Sequence, residues 1–453
     1  MSEQHQMPPR LRYSRDRFMR RSAFLATVRF VGLLCVFGLQ ILLARLFADP
    51  MEYGKYAWGQ SLLFMVGNMA CLGLPIITAR FIASLDAQHN MLGARKITNA
   101  AFRLLRRSAA APPIVAILVW AFWHPSGDTA AYRDVAVIAL LFAPAVTFVM
   151  LFGDVSRARQ WLALAVLPMQ VVRPIATAIL AASCWWLMDG TLHGNTVVAI
   201  VGISVLIVLL LQASIYHRRQ KSLLADEEPG PTPEEYQPSR LFPTALPIFV
   251  TRCASLVITY SNVILVGFLA GPTAAGIYFA AERLAHLANI PMTVVSMVNQ
   301  QSMAAAHATG KIRDLQLLAT QSAHGGLWPT LAASLGLVFF AGPLLQMFGT
   351  EFTPASTVLI ILVASGVINV FTGATQDLLV MTGHQQRIPK VMILSAIAHV
   401  TALSLLVPSY GAVGAACASV ISSLSSQTWL MYLTHRQTGI HTTVLGDLKR
   451  FRE

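Results

Sequence analysis

The chain has 453 residues, of which 55% are hydrophobic and only 12% charged, with a mean hydropathy of +0.60. A soluble domain carries about 25% charged residues, so most of this protein's surface does not face water, and a water-soluble globular protein is excluded. A net charge of +13 would suggest nucleic acid in a soluble chain, but here the basic residues lie in short connections between apolar runs, where they act as topology signals.

In chain order, residues 1–21 form a polar, basic tail. The apolar run that follows is too long for a signal-peptide core, and Val31 to Phe47 lacks a small-residue cleavage site, so it reads as a retained first helix. A helix needs about 20 apolar residues to cross the hydrocarbon core, and runs of that kind predict twelve spans. They lie near 22–47, 55–78, 103–123, 135–154, 161–187, 193–215, 243–268, 273–300, 325–348, 355–381, 389–408 and 411–434. The last two are separated only by a short turn around Pro408 to Gly411. Twenty-six of the Lys and Arg residues fall on one side of this map, while Lys55 and Arg133 fall on the other. By the positive-inside rule both termini are cytoplasmic. The expected fold is an all-α integral membrane protein of about 12 transmembrane helices in two pseudo-symmetric six-helix lobes. The expected division is a tail (1–21), an N-terminal lobe (22–215), a Pro/Glu-rich cytoplasmic linker (216–240), a C-terminal lobe (241–434) and a cytoplasmic tail (435–453).

The five cysteines all fall within apolar runs and show no metal-binding or redox spacing. Neither a metal nor another cofactor is expected. A pattern PxxxGxY recurs at an offset of 222 residues, as Pro50-Gly54-Tyr56 and Pro272-Gly276-Tyr278. Each copy follows the first helix of its half, which suggests a turn glycine with an interfacial tyrosine and a parallel internal repeat. At an offset of 223, Arg29 matches Arg252 and Asp154 matches Asp377.

Ionisable groups at membrane depth cost about 2.5–3.5 kcal/mol on insertion scales and usually face a bundle interior or a wet cavity. Arg29, Arg173 and Arg252 lie well inside spans with no acidic residue nearby in sequence. On a helical wheel Arg29 shares a stripe with Gly32 and Gln40, and Arg252 shares one with Ser255, Thr259 and Asn262. Arg173 neighbours Gln170 and Thr177 and precedes Pro174, where a kink is expected. These residues are the candidate contacts for an anionic cargo, because guanidinium groups suit phosphate. Glu282, His286 and Asp377 are the candidates for ion coupling, with Glu282 and His286 one helical turn apart. Blander readings stand beside these. Arg45 snorkels to the interface, Asp154 and Asp377 cap or pair at helix ends, Glu282 and Arg283 neutralise partners across the bundle, and His399 is a packed core residue.

The segments LLARLFADPMEYGKY, VGFLAGPTAAGIYFAAERLAHL and FGTEFTPASTVLIIL resemble bacterial polysaccharide flippases of the Wzx type, in the multidrug/oligosaccharidyl-lipid/polysaccharide (MOP) superfamily. That resemblance implies a two-lobed, alternating-access transporter of the bacterial inner membrane. Its implied cargo is undecaprenyl-diphosphate-linked oligosaccharide, moved outward for exopolysaccharide, capsule or O-antigen assembly. Membrane lipids, a polysaccharide polymerase and a chain-length regulator are the implied partners; nucleic acid is not. Cationic cavity residues would receive the diphosphate, with Arg29, Arg173 and Arg252 as candidates by location and charge.

Two other classes compete. A cation-coupled multidrug exporter of the same superfamily favours buried carboxylates in the first half, where Asp154 alone is available, at an inner end. A membrane enzyme, either a polysaccharide polymerase or an acyltransferase, needs catalytic residues and commonly a large outer loop. No outer connection here exceeds about a dozen residues, and no HxxxD, HExxH or nucleophile elbow stands out.

Overall fold

The structure, a computed structural model, describes residues 9–47, 49–88, 90–124, 132–223, 237–308, 312–373, 375–383, 385–440 and 442–443. Among these, every regular element is helical. The first six passes are α1 (Pro9–Leu46), α2 (Pro50–Met69) with α3 (Leu74–Ala87), α4 (Met91–Ala109) with α5 (Ala111–Phe122), α6 (Arg133–Ala158), α7 (Leu162–Leu167) with α8 (Arg173–Leu187), and α9 (Gly194–Leu223). The second six begin with α10 (Leu241–Ala270), α11 (Pro272–Ala288) with α12 (Ile290–Ala308), and α13 (Ile312–Phe339). The short α14 (Ala341–Gln346) follows, then α15 (Ala355–Phe371) with α16 (Thr375–Met381), and α17 (Ile388–Thr438). Eight of these helical stretches are long and apolar enough to cross a bilayer, or nine when the α2–α3 pair, bent by 46°, is counted as one span.

The twelve passes emerge once local chemistry is read into that count. The pass α11–α12 and α13 carry polar stretches, such as Gln316 to His324, that lower their hydropathy. α17 is two passes. Gly411 has φ 54° and ψ −132°, a backbone conformation that needs glycine. His399 Nδ1 lies 2.8 Å from Ser422 Oγ, whereas 23 residues of unbroken helix would separate them by about 34 Å. The chain therefore folds back at Gly411, at the turn expected from the sequence. In the fifth pass the helix loosens into a π segment at Pro168–Val172 before Arg173. The distortion thus sits one turn earlier than a kink at Pro174, because Pro168 and Pro174 both remove backbone donors around it. The region expected as a linker begins with residues that continue α9 to Leu223, and 224–236 lie outside the described residues.

The PxxxGxY motifs serve a different purpose from the one their sequence suggests. Gly54 and Gly276 are not turn residues; each is the fifth residue of its helix, and there the two lobes meet. A Cβ on Gly54 would collide with the Pro272 carbonyl, and one on Gly276 would lie 3.0 Å from the Pro50 carbonyl oxygen and 3.1 Å from Gly54 N. The contact is reciprocal, as a pseudo-twofold axis demands, and only small residues permit such close backbone approach. Tyr56 and Tyr278 are 0% and 1% exposed, so they fill the core instead of lying at the membrane interface.

This meeting point lies at the ends of the helices away from the basic connections, which we call the far face; the opposite side is the basic face. An aromatic cluster surrounds it: Tyr53 packs against Phe279 and Phe352, Tyr56 against Phe279, and Phe37 against Phe348. Three N-terminal-lobe side chains then donate hydrogen bonds to main-chain carbonyls of the other lobe. Trp58 Nε1 reaches Ile264 O at 3.1 Å, Tyr132 Oη reaches Gly267 O at 3.0 Å, and Arg45 reaches Gln346 O at 2.6 Å and Met347 O at 2.8 Å. Arg45 therefore satisfies the carbonyls at the end of α14 as well as staying exposed. Each neutral bond contributes about 1 kcal/mol. Tyr132→Phe is accordingly expected to raise the population opened on the far face about fivefold, measured by labelling of a cysteine introduced beside Gly267. An unchanged labelling rate would remove Tyr132 from the latch.

On the basic face the N-terminal lobe is pinned by Arg159, which lies 3.4 Å from Asp86 with only 4% of its side chain exposed, beneath Trp161 and Tyr216. The first turns of α10 also join this core, through buried Leu241 and Ala245.

Candidate functional site

Below the far-face closure, one guanidinium from each lobe approaches the interface. Arg173 opens α8 immediately after the π segment, and its guanidinium lies 5.0 Å from the Phe64 ring. Arg283, on α11, lies 4.2 Å from the Phe279 ring and 3.5 Å from Glu282. The two are close enough for the charge of each to act on the other's surroundings, and Tyr56 and Tyr260 feel both. Aromatic faces offset part of the desolvation of both charges, and Glu282 balances the charge of Arg283.

Arginine has five N–H donors, and little of that capacity is used. Among the described residues, Arg173 makes one long bond, Nε to Met169 O at 3.4 Å, and Arg283 Nε is buried without a hydrogen-bond partner. Unsatisfied donors of this kind are costly unless a ligand takes them up. The arrangement can bind an oxyanion between the lobes, in bidentate fashion from either side.

The structure separates the sequence candidates into two tiers. Counted at about 1.5 Å per residue from the far ends of their helices, Arg173 and Arg283 lie about 21 and 16 Å deep, and Arg29 and Arg252 about 25 and 27 Å deep. Arg29 belongs to the deeper tier, near the charge of Arg157. Arg252 is exposed, and its charge acts on Cys71 and Asp154 of the other lobe. Asp154 itself pairs with Arg157 at 2.8 Å. Arg29 and Arg252 therefore lie nearer the basic face than the Arg173–Arg283 pair.

Gln40 is 2% exposed and donates to Tyr56 Oη at 3.1 Å while accepting from Tyr53 at 3.3 Å. It orders the roof of the site. On α10, Ser255 and Thr259 donate back to their own helix, and Asn262 accepts from Ser419 at 3.2 Å. Glu282 pairs with Arg283, whereas His286 is exposed one turn along the helix. Asp377 stands in the first turn of α16, where a carboxylate complements the helix dipole. Among the described residues no cluster of three metal-ligating side chains occurs.

Arg283 is the residue that sequence reasoning passed over. Its sequence suggested that, with Glu282, it neutralises partners across the bundle, and its wheel position sets it apart from the Glu282–His286 face. The available signal was Phe279 four residues earlier, which places an aromatic ring beneath it.

Residues 18–300 match the family described as "Polysaccharide biosynthesis protein". No curated protein sequence matches the chain. Among solved structures, the chain resembles an inward-facing multidrug resistance MATE family transporter of the MOP superfamily, with TM-score 0.73 and 14% identity over 91% of this chain and 98% of that one. The outward-facing form of such a transporter gives TM-score 0.62 at 14% identity, over 92% and 95%. A MOP superfamily transporter from Pyrococcus furiosus, described as having a binding pocket of reverse polarity, gives 0.63 at 14% identity, over 92% and 95%. The chain thus has the fold of these multi-pass, two-lobed membrane transporters.

Proposed function

The chain belongs to the polysaccharide biosynthesis protein family, and from that premise we propose that it flips undecaprenyl-diphosphate-linked oligosaccharide across the bacterial inner membrane. The observation that carries this reading is the Arg173–Arg283 pair, two underused guanidiniums, one from each lobe, near enough for the charge of one to act on the other. A diphosphate offers negatively charged oxygens to arginines of both lobes, whereas a neutral cargo brings no charge to offset theirs and a cationic cargo is repelled.

In this reading the basic face is cytoplasmic, in keeping with the distribution of Lys and Arg. The closed far face and the greater likeness to an inward-facing transporter support an inward-open state that awaits cargo. Arg29 and Arg252 meet the headgroup first, nearer the cytoplasmic leaflet, and Arg173 and Arg283 hold it beneath the closure. Neutralising the pair removes the repulsion between the two lobes at that level, so cargo and lobe rearrangement are coupled through charge.

Loss of the protein is expected to leave undecaprenyl-diphosphate-linked repeat units accumulating on the cytoplasmic leaflet, measured by extraction and by their accessibility in everted vesicles. Dye sensitivity with normal polysaccharide would sink this reading and favour drug export.

A further inference from the structure

We propose that α4 carries a docking site for the headgroups of anionic phospholipids in the leaflet on the basic face. The inference is independent of the cargo. Arg95, Lys96, Arg103, Arg106 and Arg107 are all exposed on this helix. At 100° per residue they fall within about 120° of arc and run about 18 Å along the axis. The opposite face, with Ala94, Ile97, Ala101 and Leu105, is buried in the core of the N-terminal lobe. No acidic residue occurs between Met91 and Phe122, and the ion pairs formed among the described residues involve other cations. Among the described residues the ridge is therefore not neutralised by an ion pair.

Its depth points to a lipid headgroup. α4 and α5 form one span of 32 residues, Met91–Phe122, about 48 Å long against a hydrocarbon core of about 30 Å. On α5 the exposed Ile114 and Ile117 continue the same arc, so the face that meets acyl chains becomes cationic as it approaches the basic face. Counting about 30 Å from Phe122 reaches roughly residue 102. Arg103 thus lies at the hydrocarbon edge, Arg106 and Arg107 lie about 6 and 8 Å inside it, within reach of the headgroups by extending their side chains, and Arg95 and Lys96 lie at the water side of the headgroup layer.

The internal repeat shows that the fold does not require this charge. At the 222-residue offset the corresponding positions on α13 are Leu317, Leu318, Gly325, Trp328 and Pro329, none of them cationic, with Leu317 40% and Trp328 63% exposed. One lobe therefore presents guanidinium to the headgroups where its counterpart presents an apolar surface. Bound headgroups hold the N-terminal lobe at a fixed depth while the C-terminal lobe moves against it.

Native mass spectrometry of the purified full-length protein, titrated with phosphatidylglycerol or phosphatidylcholine, tests this directly. Wild type is expected to bind phosphatidylglycerol at least about tenfold more tightly, since each basic residue near a charged surface contributes about fivefold. Arg95→Gln/Arg103→Gln/Arg106→Gln should abolish the preference. Arg387→Gln/Lys390→Gln/Arg436→Gln, with the same change in net charge at other exposed sites, should keep it. Should the first triple variant fail to insert, Arg103→Gln and Arg106→Gln singly should each cost about fivefold. Equal affinity for the two lipids, a preference that survives the α4 substitutions, or equal loss in the control overturns the proposal. So does displacement by millimolar inorganic phosphate, which marks a free-phosphate site, or binding of polyglutamate in place of the lipid, which marks a surface for acidic proteins.

Discussion

Gly54→Ala is expected to reduce polysaccharide export more than tenfold without removing the protein from the membrane, whereas Gly276→Ala should cost only a few-fold. Both glycines lie at the crossing of α2 and α11, yet their surroundings differ. A methyl on Gly54 would overlap the Pro272 carbonyl, which belongs to the first turn of a helix and cannot rotate away, so the two lobes must part. The methyl on Gly276 meets its nearest atoms at 3.0–3.2 Å, a tightness that a shift of a few tenths of an ångström relieves. Parting the helices breaks the aromatic cluster around Tyr53 and Tyr56 and the bonds from Trp58, Tyr132 and Arg45. The population then moves toward a far-face-open state that cannot reload from the basic side. A mutation need bias that equilibrium by only about 1.4 kcal/mol for a tenfold change. Membrane abundance, export and labelling of a far-face cysteine report this together. Wild-type export by the Gly54 variant, or equal effects at the two glycines, would remove the crossing from the transport cycle.

Much of the architecture could be read in the sequence because apolar length and loop charge are local signals. The hairpin at Gly411 followed from Pro408 to Gly411 lying between two apolar runs, and the two-lobed plan followed from the recurrence of Pro-x-x-x-Gly-x-Tyr. The function of that motif was not readable. A glycine that permits a turn and a glycine that permits two helices to touch look alike in one dimension; only the Pro272 carbonyl distinguishes them. The same limit governs the site. Depth along a helix located Arg29, Arg173 and Arg252 in the bilayer, but which arginines face one another depends on how the lobes dock. Arg173 comes within range of the charge of Arg283, a residue that its sequence suggested would neutralise a partner across the bundle. Gln40 was expected to share the polar stripe with Arg29, but two buried tyrosines take its amide, a contact set by α2, which the helical wheel of α1 does not include.

Arg173→Ala and Arg283→Ala are each expected to lower export by about 10- to 100-fold, from the loss of about 1.5–3 kcal/mol per charge-assisted contact. The two substitutions should be non-additive, because both act on one bound headgroup. Arg29→Ala and Arg252→Ala, which lie nearer the basic face, should lower it by less than either. Lysine separates charge from geometry at these positions: it keeps the cation but loses the bidentate fork. Arg173→Lys should therefore recover only part of the activity, and Arg283→Lys should do so provided its contact with Phe279 survives. Glu282 supplies the internal control. Glu282→Gln removes the carboxylate 3.5 Å from Arg283, raising the positive charge at the interface, so it should strengthen retention of a diphosphate lipid while slowing release. Export measured alongside binding of a diphosphate lipid to the purified protein separates the two steps. Full export by both alanine variants, or loss of export with undiminished lipid binding, would leave the paired arginines as packing against Phe64 and Phe279, with no role in capturing an anionic headgroup.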